Sequence, residues 1–436
     1  MSAKVVATAI IEKFSHDGRG LARIEGKTTF IEGALPDETI TYQIIRKKRA
    51  FDEGKVLDVL VPSVHRVVPR CVHYGVCGGC SLQHLNEHAQ IHEKEALLLD
   101  TLLRIGRVTP ERVLAPLLSE AWHYRDKARL SVCYVESSKT VSLGFREKHR
   151  PRFIVDMTTC AILNEAVPLD ALRALILALS HPQTIAQLEV AVGDEGVAVI
   201  LRHLAPLSVS DQTLLRVFAM EHKIKLFLQS KGPDSVYLFY PEAGDVFLTY
   251  RLPEQEIVFK FHPTDFTQVN PSINKKMVAL ALELLALKPH DKVLDLFCGL
   301  GNFALPIAKH CESVMGVEGT AAMVERAKMN ARDNQIKNTT FLARNLEDPS
   351  VLLELQPYGA NKLLIDPPRA GAHAFVKGID ALNLDRIVYV SCNPATFARD
   401  LGILVHEKGY RLCAVGVMDM FPHTAHVESI ALLEKI

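Results

Sequence analysis

Lys292-Val293-Leu294-Asp295-Leu296-Phe297-Cys298-Gly299-Leu300-Gly301-Asn302 is an apolar run of strand length that ends in two glycines spaced for a tight turn into a helix. From residue 264 to the C-terminus strands and helices alternate in this manner, which predicts a doubly wound, Rossmann-like parallel sheet. Ligands bind such sheets at the carboxyl ends of the strands. The glycine turn lets a ligand approach the backbone and presents a helix N-terminus to it. Gly299-x-Gly301-x-x-Ala304 also fits a dinucleotide fingerprint, so a nicotinamide enzyme competes. Asp295 tilts the reading toward S-adenosylmethionine, because an acceptor just before the turn suits that ligand's amino-acid end and no phosphate-binding arrangement accompanies it. Glu318 ends the strand from Ser313 to Val317 and is placed to accept from both ribose hydroxyls, a task common to both cofactors.

Three further stretches converge on the same sheet edge. Leu363-Leu364-Ile365-Asp366-Pro367-Pro368-Arg369 delivers an acid from a buried strand into a loop stiffened by two prolines. Asp366 is either a turn former or a ligand contact. Ile387-Val388-Tyr389-Val390-Ser391-Cys392-Asn393-Pro394 reads as a buried strand stopped by Asn-Pro, which leaves Cys392 at its carboxyl end. A lone cysteine is more often a small buried hydrophobe than a nucleophile. Phe421-Pro422-His423-Thr424-Ala425-His426-Val427-Glu428-Ser429-Ile430 places Glu428 within an apolar strand, where burial would raise its pKa and suit it as a base. A satisfied structural glutamate is the alternative.

The chain has 436 residues, 48% of them hydrophobic, with 50 Lys and Arg against 50 Asp and Glu. That length suggests two to four domains, and the zero formal charge gives no overall pull toward nucleic acid, so any such binding must come from local patches. No apolar run has the length of a bilayer span, and the first residues lack a secretion signal. A cytoplasmic protein without membrane contact is expected, and nothing calls for an obligate protein partner. Nine cysteines, odd in number and clustered, fit metal binding or thiol chemistry better than a disulfide framework.

Before residue 264 two units are expected. Residues 1–64 hold five short strands separated by turns such as Asp17-Gly18-Arg19-Gly20 and Glu25-Gly26-Lys27, which predicts a small antiparallel barrel of the oligonucleotide-binding kind. Arg46-Lys47-Lys48-Arg49 before its last strand is either a solvated face or an RNA contact. Residues 65–263 read as an α+β platform. Cys71, Cys77 and Cys80 form a Cys-x5-Cys-x2-Cys run with glycines between them, and need a fourth ligand: Cys160 first, Cys133 second. The wide, unequal spacing favours a four-iron cluster over zinc. A helix is expected over Leu85 to Arg104, stopped at Gly106. Between Ala121 and Arg152, eight Lys and Arg stand against three Asp and Glu, interleaved with Trp122, His123, Tyr124 and Phe145. Cations beside stacking rings suit single-stranded RNA.

In their order, Asp-Pro-Pro-Arg, Ser-Cys-Asn-Pro and His-Thr-x-His-Val-Glu resemble the RNA (uracil-5-)-methyltransferase family over essentially the whole chain. The cysteine run and the leading barrel, which looks like a TRAM domain, point within that resemblance to the ribosomal branch and away from the tRNA-modifying one. The resemblance implies S-adenosylmethionine-dependent methylation of carbon 5 of a specific uridine in 23S rRNA, with Cys392 as nucleophile; Glu428 is the candidate base for the proton that carbon 5 must then lose. The resemblance further implies a [4Fe-4S] cluster on Cys71, Cys77, Cys80 and Cys160, and a cofactor site of Gln268, Phe297, Asn302, Glu318, Asn345 and Asp366. The helix near 85 to 105 would pack on the catalytic domain. Rival readings are a cytosine carbon-5 methyltransferase and a non-catalytic iron-sulfur RNA-binding assembly factor; intact Asp366, Cys392 and Glu428 argue against the latter.

Overall fold

In the computed structural model, which describes residues 6–436, the first unit is a six-stranded sheet. β1 (Val6–Ile10), β2 (Lys13–Phe14), β3 (Gly20–Ile24), β4 (Lys27–Glu32), β5 (Thr39–Lys47) and β6 (Phe51–Val61) run in the order β1-β5-β6-β4-β3-β2. Alternate residues point inward as the pleat demands, and Ile11, Ala22, Ile31, Ile40 and Tyr42 form its core. The expectation of a wholly antiparallel unit fails at one pair, since β4 and β6 are parallel. Arg46 and Lys47 complete β5 and only Lys48 and Arg49 lie in the loop.

Next, α1 (Glu87–Thr101) passes through a π-helical turn, Leu102–Gly106, to β7 (Arg112–Val113). The left-handed residue that ends this helix is Arg107, at φ 53°, not Gly106. Gly106 serves a different need: a Cβ there would lie 2.4 Å from the Ala398 carbonyl oxygen. The platform comes after it, with β8 (Lys127–Val135), β9 (Thr140–Gly144), α2 (Leu169–Ala178), β10 (Ile185–Gly193), β11 (Gly196–His203), α3 (Val209–Glu221), β12 (Lys225–Gln229) and β13 (Val236–Tyr240). Its sheet order is β13-β12-β11-β10-β8-β9.

β14 (Leu248–Leu252) and β15 (Ile257–Phe261) form a hairpin that shares a core with α4 (Pro271–Leu285) and the catalytic sheet. That sheet alternates as expected: β16 (Lys292–Leu296), α5 (Ala304–Ala308), β17 (Ser313–Glu318), α6 (Ala321–Asp333), β18 (Thr339–Ala343), α7 (Ser350–Leu355), β19 (Lys362–Ile365), α8 (His373–Gly378), β20 (Arg386–Ser391), α9 (Pro394–His406), β21 (Tyr410–Met418) and β22 (Glu428–Lys435). The order is β18-β17-β16-β19-β20-β22-β21-β7. Five strands are parallel, and β22 is antiparallel to both its neighbours. The edge strand β7 comes from residues 112–113, and α1 packs on α9 and β21, so the core of the catalytic region reaches outside residues 264–436. Among the described residues no helix is long and apolar enough to cross a membrane.

Candidate active site

Parallel strands that share a direction place their C-terminal residues, and the turns after them, along one edge of the sheet. Asp295 and Phe297 (β16), Glu318 (β17), Asn345 (beyond β18), Asp366 (β19) and Cys392 (β20) therefore gather there. Because β22 runs the other way, its first residue rather than its last reaches this edge. Ser391 pairs with Ser429, so Cys392 and Glu428 lie one step beyond that pair, side by side. Glu428 starts the strand instead of lying within it.

Cys392 is followed by Asn393, which caps α9 by accepting from the Ala395 N–H at 3.1 Å, with Pro394 in the first helical position. Asn393 also donates through Nδ2 to the Arg369 carbonyl at 2.9 Å, which ties the Asp-Pro-Pro-Arg loop to the cysteine. Burial pushes the Cys392 thiol up, Glu428 and Asp366 push it further, and the Arg369 guanidinium opposes them. Burial raises Asp366 to about 7. Glu428 is raised well above the carboxylate range by burial and by Asp366, again opposed by Arg369. Two neighbouring carboxyls and one thiol thus share a partly buried edge, where holding all three as anions is costly.

The cofactor candidates fall into two groups around the glycine turn. Phe297 takes φ 61°, a conformation that bulky residues avoid and that marks functional turns, and Gly299 and Gly301 have φ 55° and 95°. Glu318 accepts from the Gly299 N–H at 3.2 Å and the Thr320 N–H at 2.9 Å. Asp295 is wholly buried and neither carboxylate oxygen has a hydrogen-bond partner. An ammonium group of a bound ligand would satisfy it. On the other side, Asn302 accepts from Tyr250 Oη at 2.9 Å and exchanges two bonds with Asn274. Asn274 and Tyr250 line a small cavity with Thr267 and Gln268. Neither Tyr250 nor Asn274 stands out in the sequence. Asn345 is exposed and its Oδ1 accepts from the Glu347 N–H at 3.1 Å, capping its own loop.

All nine cysteines are free thiols. Cys77 and Cys160 belong to the platform core, and Cys71, Cys77, Cys80 and Cys160 lie near enough to perturb one another electrostatically, whereas Cys133 is exposed on β8 and takes no part. Among the described residues no three His, Cys, Asp or Glu side chains are drawn in closely enough for a single metal ion. Backbone bonds stitch the loop to the 145–148 segment: Gly78 N–H donates to the Arg146 carbonyl at 2.9 Å and Lys148 N–H to the Val76 carbonyl at 2.8 Å.

A cleft of about 1050 Å³ joins all three units. Cys392, Asn393 and Arg369 line it from the catalytic sheet, Cys80 and Ser81 from the cysteine loop, and His16 and Asp17 from the first unit. Of the basic stretch, Arg125, Phe145, Arg146 and Lys148 face this cleft. The rest do not. Trp122 stacks on His423 with ring centroids 3.8 Å apart, Tyr124 is buried and donates to the Pro422 carbonyl at 3.1 Å, and Lys127 bonds the Asp265 carbonyl. Tyr124 is therefore interior, and the half-buried Trp122 has one face taken by His423.

Sheet order, glycine turn and acidic strand ends together define a methyltransferase fold that uses S-adenosylmethionine. Residues 242–436 match the family model described as tRNA (Uracil-5-)-methyltransferase, and residues 6–61 match the TRAM domain. The 23S rRNA (uracil(1939)-C(5))-methyltransferase RlmD of Legionella pneumophila is 54% identical over 98% of this chain and 97% of its own. The protein of the same description from Nitrosospira multiformis is 47% identical over 99% of each chain. A crystal structure of the Pyrococcus abyssi tRNA (uracil-54, C5)-methyltransferase with S-adenosyl-L-homocysteine is similar at TM-score 0.73 and 25% identity, over 98% of this chain and all of that one. The chain belongs to the RNA (uracil-5-)-methyltransferases, in the RlmD family of 23S rRNA enzymes. Because the solved tRNA enzyme aligns over 98% of this chain, the leading barrel alone does not mark the ribosomal branch; the relatives at 47–54% identity place the chain there.

Proposed function

We propose that this protein methylates carbon 5 of a uridine in 23S rRNA, the one numbered 1939 in the relatives' description, acting in the cytoplasm through a covalent cysteine adduct. The observation that carries the reading is the cleft with Cys392 in its wall, Glu428 beside that cysteine, and Arg125, Arg146 and Lys148 lining the same cleft. Phosphates of a single strand would meet the cations and a splayed base would reach the sheet edge. Bound S-adenosylmethionine supplies an electrophilic methyl group, held by Gln268, Phe297, Asn302, Glu318, Asn345 and Asp366, with Asp295 for its ammonium group.

Carbon 5 of uracil is a poor nucleophile. Addition of the Cys392 thiolate to carbon 6 turns carbon 5 into an enolate carbon that can accept the methyl group. Arg369 favours the thiolate in the otherwise acidic edge. After methylation carbon 5 still carries a proton; Glu428 takes it, the carbon 5–carbon 6 double bond re-forms and the thiolate leaves. Raised by burial, Glu428 is a stronger base than an exposed carboxylate. Asp366, held near neutrality, orients the base or the cofactor.

Cys71, Cys77, Cys80 and Cys160 would hold a [4Fe-4S] cluster. Four free thiols within mutual electrostatic reach, with wide and unequal sequence spacing, support a cubane over zinc. The cluster would brace the cleft wall, not exchange electrons in the reaction.

Incubation of unmodified 23S rRNA with anaerobically purified protein and methyl-labelled S-adenosylmethionine tests the reading. Label in 5-methyluridine is expected, and mapping the labelled fragment names the site. Label in 5-methylcytidine, or none despite cofactor binding, would refute it.

A further inference from the structure

Glu428 comes directly after a loop, Phe421–Val427, that belongs by sequence to the catalytic region but is held largely by residues 81–124. The Ser81 and Leu82 N–H groups both donate to the His423 carbonyl at 2.9 Å, and Ser81 Oγ accepts from the Ala425 N–H at 3.0 Å. Gln90, wholly buried on α1, accepts from the His423 N–H at 2.7 Å through Oε1, while its Nε2 lies 3.1 Å from His423 Nδ1. That amide is itself fixed by the Leu85 carbonyl at 2.8 Å. Lys94 donates to the Phe421 carbonyl at 3.0 Å and pairs with Asp419 at 2.7 Å in the interior. From the catalytic region Arg369 meets His426 at 3.3 Å, Val427 is buried in the core of the sheet and Phe421 packs against its other face, so the polar anchoring of the loop between them comes from residues 81–94.

His423 sits at φ 64°, a conformation that costs free energy for a residue with a Cβ and persists only where the surroundings impose it. Gln90 grips both its backbone N–H and its ring, and Trp122 covers the ring. Glu428 is five residues further on, with the chain between them turned back on itself by Thr424, whose Oγ1 accepts from the His426 N–H at 3.2 Å. Displacement of this loop would therefore move the Glu428 carboxylate relative to Cys392.

We infer that Ser81 and Gln90 are positioning residues for the proton-removal step, holding the Phe421–Val427 loop so that Glu428 meets carbon 5 of the Cys392 adduct. The inference rests on the assignment of Glu428 as base. It separates two tasks of the cleft: cofactor and thiol chemistry on the catalytic sheet, and placement of the base from the cysteine loop and α1. A carboxylate misplaced by a fraction of an ångström still leaves cofactor binding and thiol addition intact.

Ser81→Ala and Gln90→Leu are compared with wild type and with Glu428→Gln in one assay. It reads turnover, KM for RNA, S-adenosylmethionine affinity, iron per chain and the fraction of labelled RNA covalently attached to protein. Both variants should lose turnover on the order of tenfold, at unchanged KM, cofactor affinity and iron, and should accumulate methylated adduct as Glu428→Gln does, to a lesser degree. Ser81→Thr, which keeps the acceptor oxygen, should restore turnover. Wild-type turnover in both variants, a fall without adduct, or loss of turnover only where iron or cofactor binding is also lost would each overturn the inference. If Glu428→Gln itself builds no adduct, the base assignment has failed and the inference falls with it. If that control traps adduct and the two variants do not, the base stands and only the positioning role is refuted.

Discussion

Cys392 and Cys80 line one cleft, with Cys71 and Cys77 in the same loop as Cys80, yet the surroundings of these thiols differ. Burial pushes Cys77 to about 11 and Cys80 to about 12, and the neighbouring thiols add to it. Among the described residues no cation offsets the rise of these two. Cys392 is raised too, by burial, Glu428 and Asp366, but Arg369 works against the rise. Cys160, the fourth proposed ligand, has Arg125 working against its rise as Arg369 does at Cys392, so the distinction holds for Cys77 and Cys80: under the proposed roles these two would receive their compensating charge from iron, and Cys392 from the guanidinium. On the proposed roles, the contrast would separate a site that is filled once from a site that turns over.

Substituting the nucleophile breaks the comparison most severely. Cys392→Ala should lower turnover at least about ten-thousandfold and abolish the RNA adduct while leaving S-adenosylmethionine binding largely intact. Normal turnover in that variant would remove Cys392 from the mechanism. Glu428→Gln should cost on the order of a hundredfold to a thousandfold and should trap methylated adduct; product released at the normal rate would show that another group takes the proton. On the other side of the contrast, protein purified without oxygen should be brown with about four irons per chain. Cys80→Ser should lose that iron and lower turnover by a smaller factor, on the order of tenfold. Stoichiometric zinc without iron would refute the cluster.

How far the sequence reveals this arrangement depends on the range of each interaction. Asp366 and Cys392 are legible because a buried strand and the proline after it place them within a few residues, and the glycine turn after Leu296 is equally local. Glu428 is expected inside a strand, whereas it opens one, because the reversal of β22 is a property of the sheet and not of the segment. The parallel pairing of β4 with β6 is hidden for the same reason. Trp122 and Tyr124 look like RNA-stacking rings from their basic neighbours, but the loop that covers them lies some 300 residues further on in the chain. Ser81, Gln90 and His423 carry little signal, since each matters through partners remote in sequence. Only Ser81 has a hint, its position next to Cys80.

Arg369 tests the electrostatic half of the contrast with the smallest expected effect. It lowers both the Cys392 thiol and the Glu428 carboxyl. Removing its charge should let both rise. The thiol must be ionised to add and the carboxyl must be ionised to accept a proton, so both changes move the ascending limb of the pH–rate profile in the same direction, toward higher pH. At neutral pH Arg369→Gln should then lose turnover by roughly fivefold and recover part of it in alkaline buffer. Arg369→Lys keeps the charge and should keep the limb near its original position. If Arg369 acted only on a phosphate of the RNA, the glutamine variant would raise KM and leave the limb of kcat where it was. An unmoved limb would mean that Cys392 is ionised by something other than this guanidinium, and the distinction drawn between the two kinds of thiol would then rest on geometry alone.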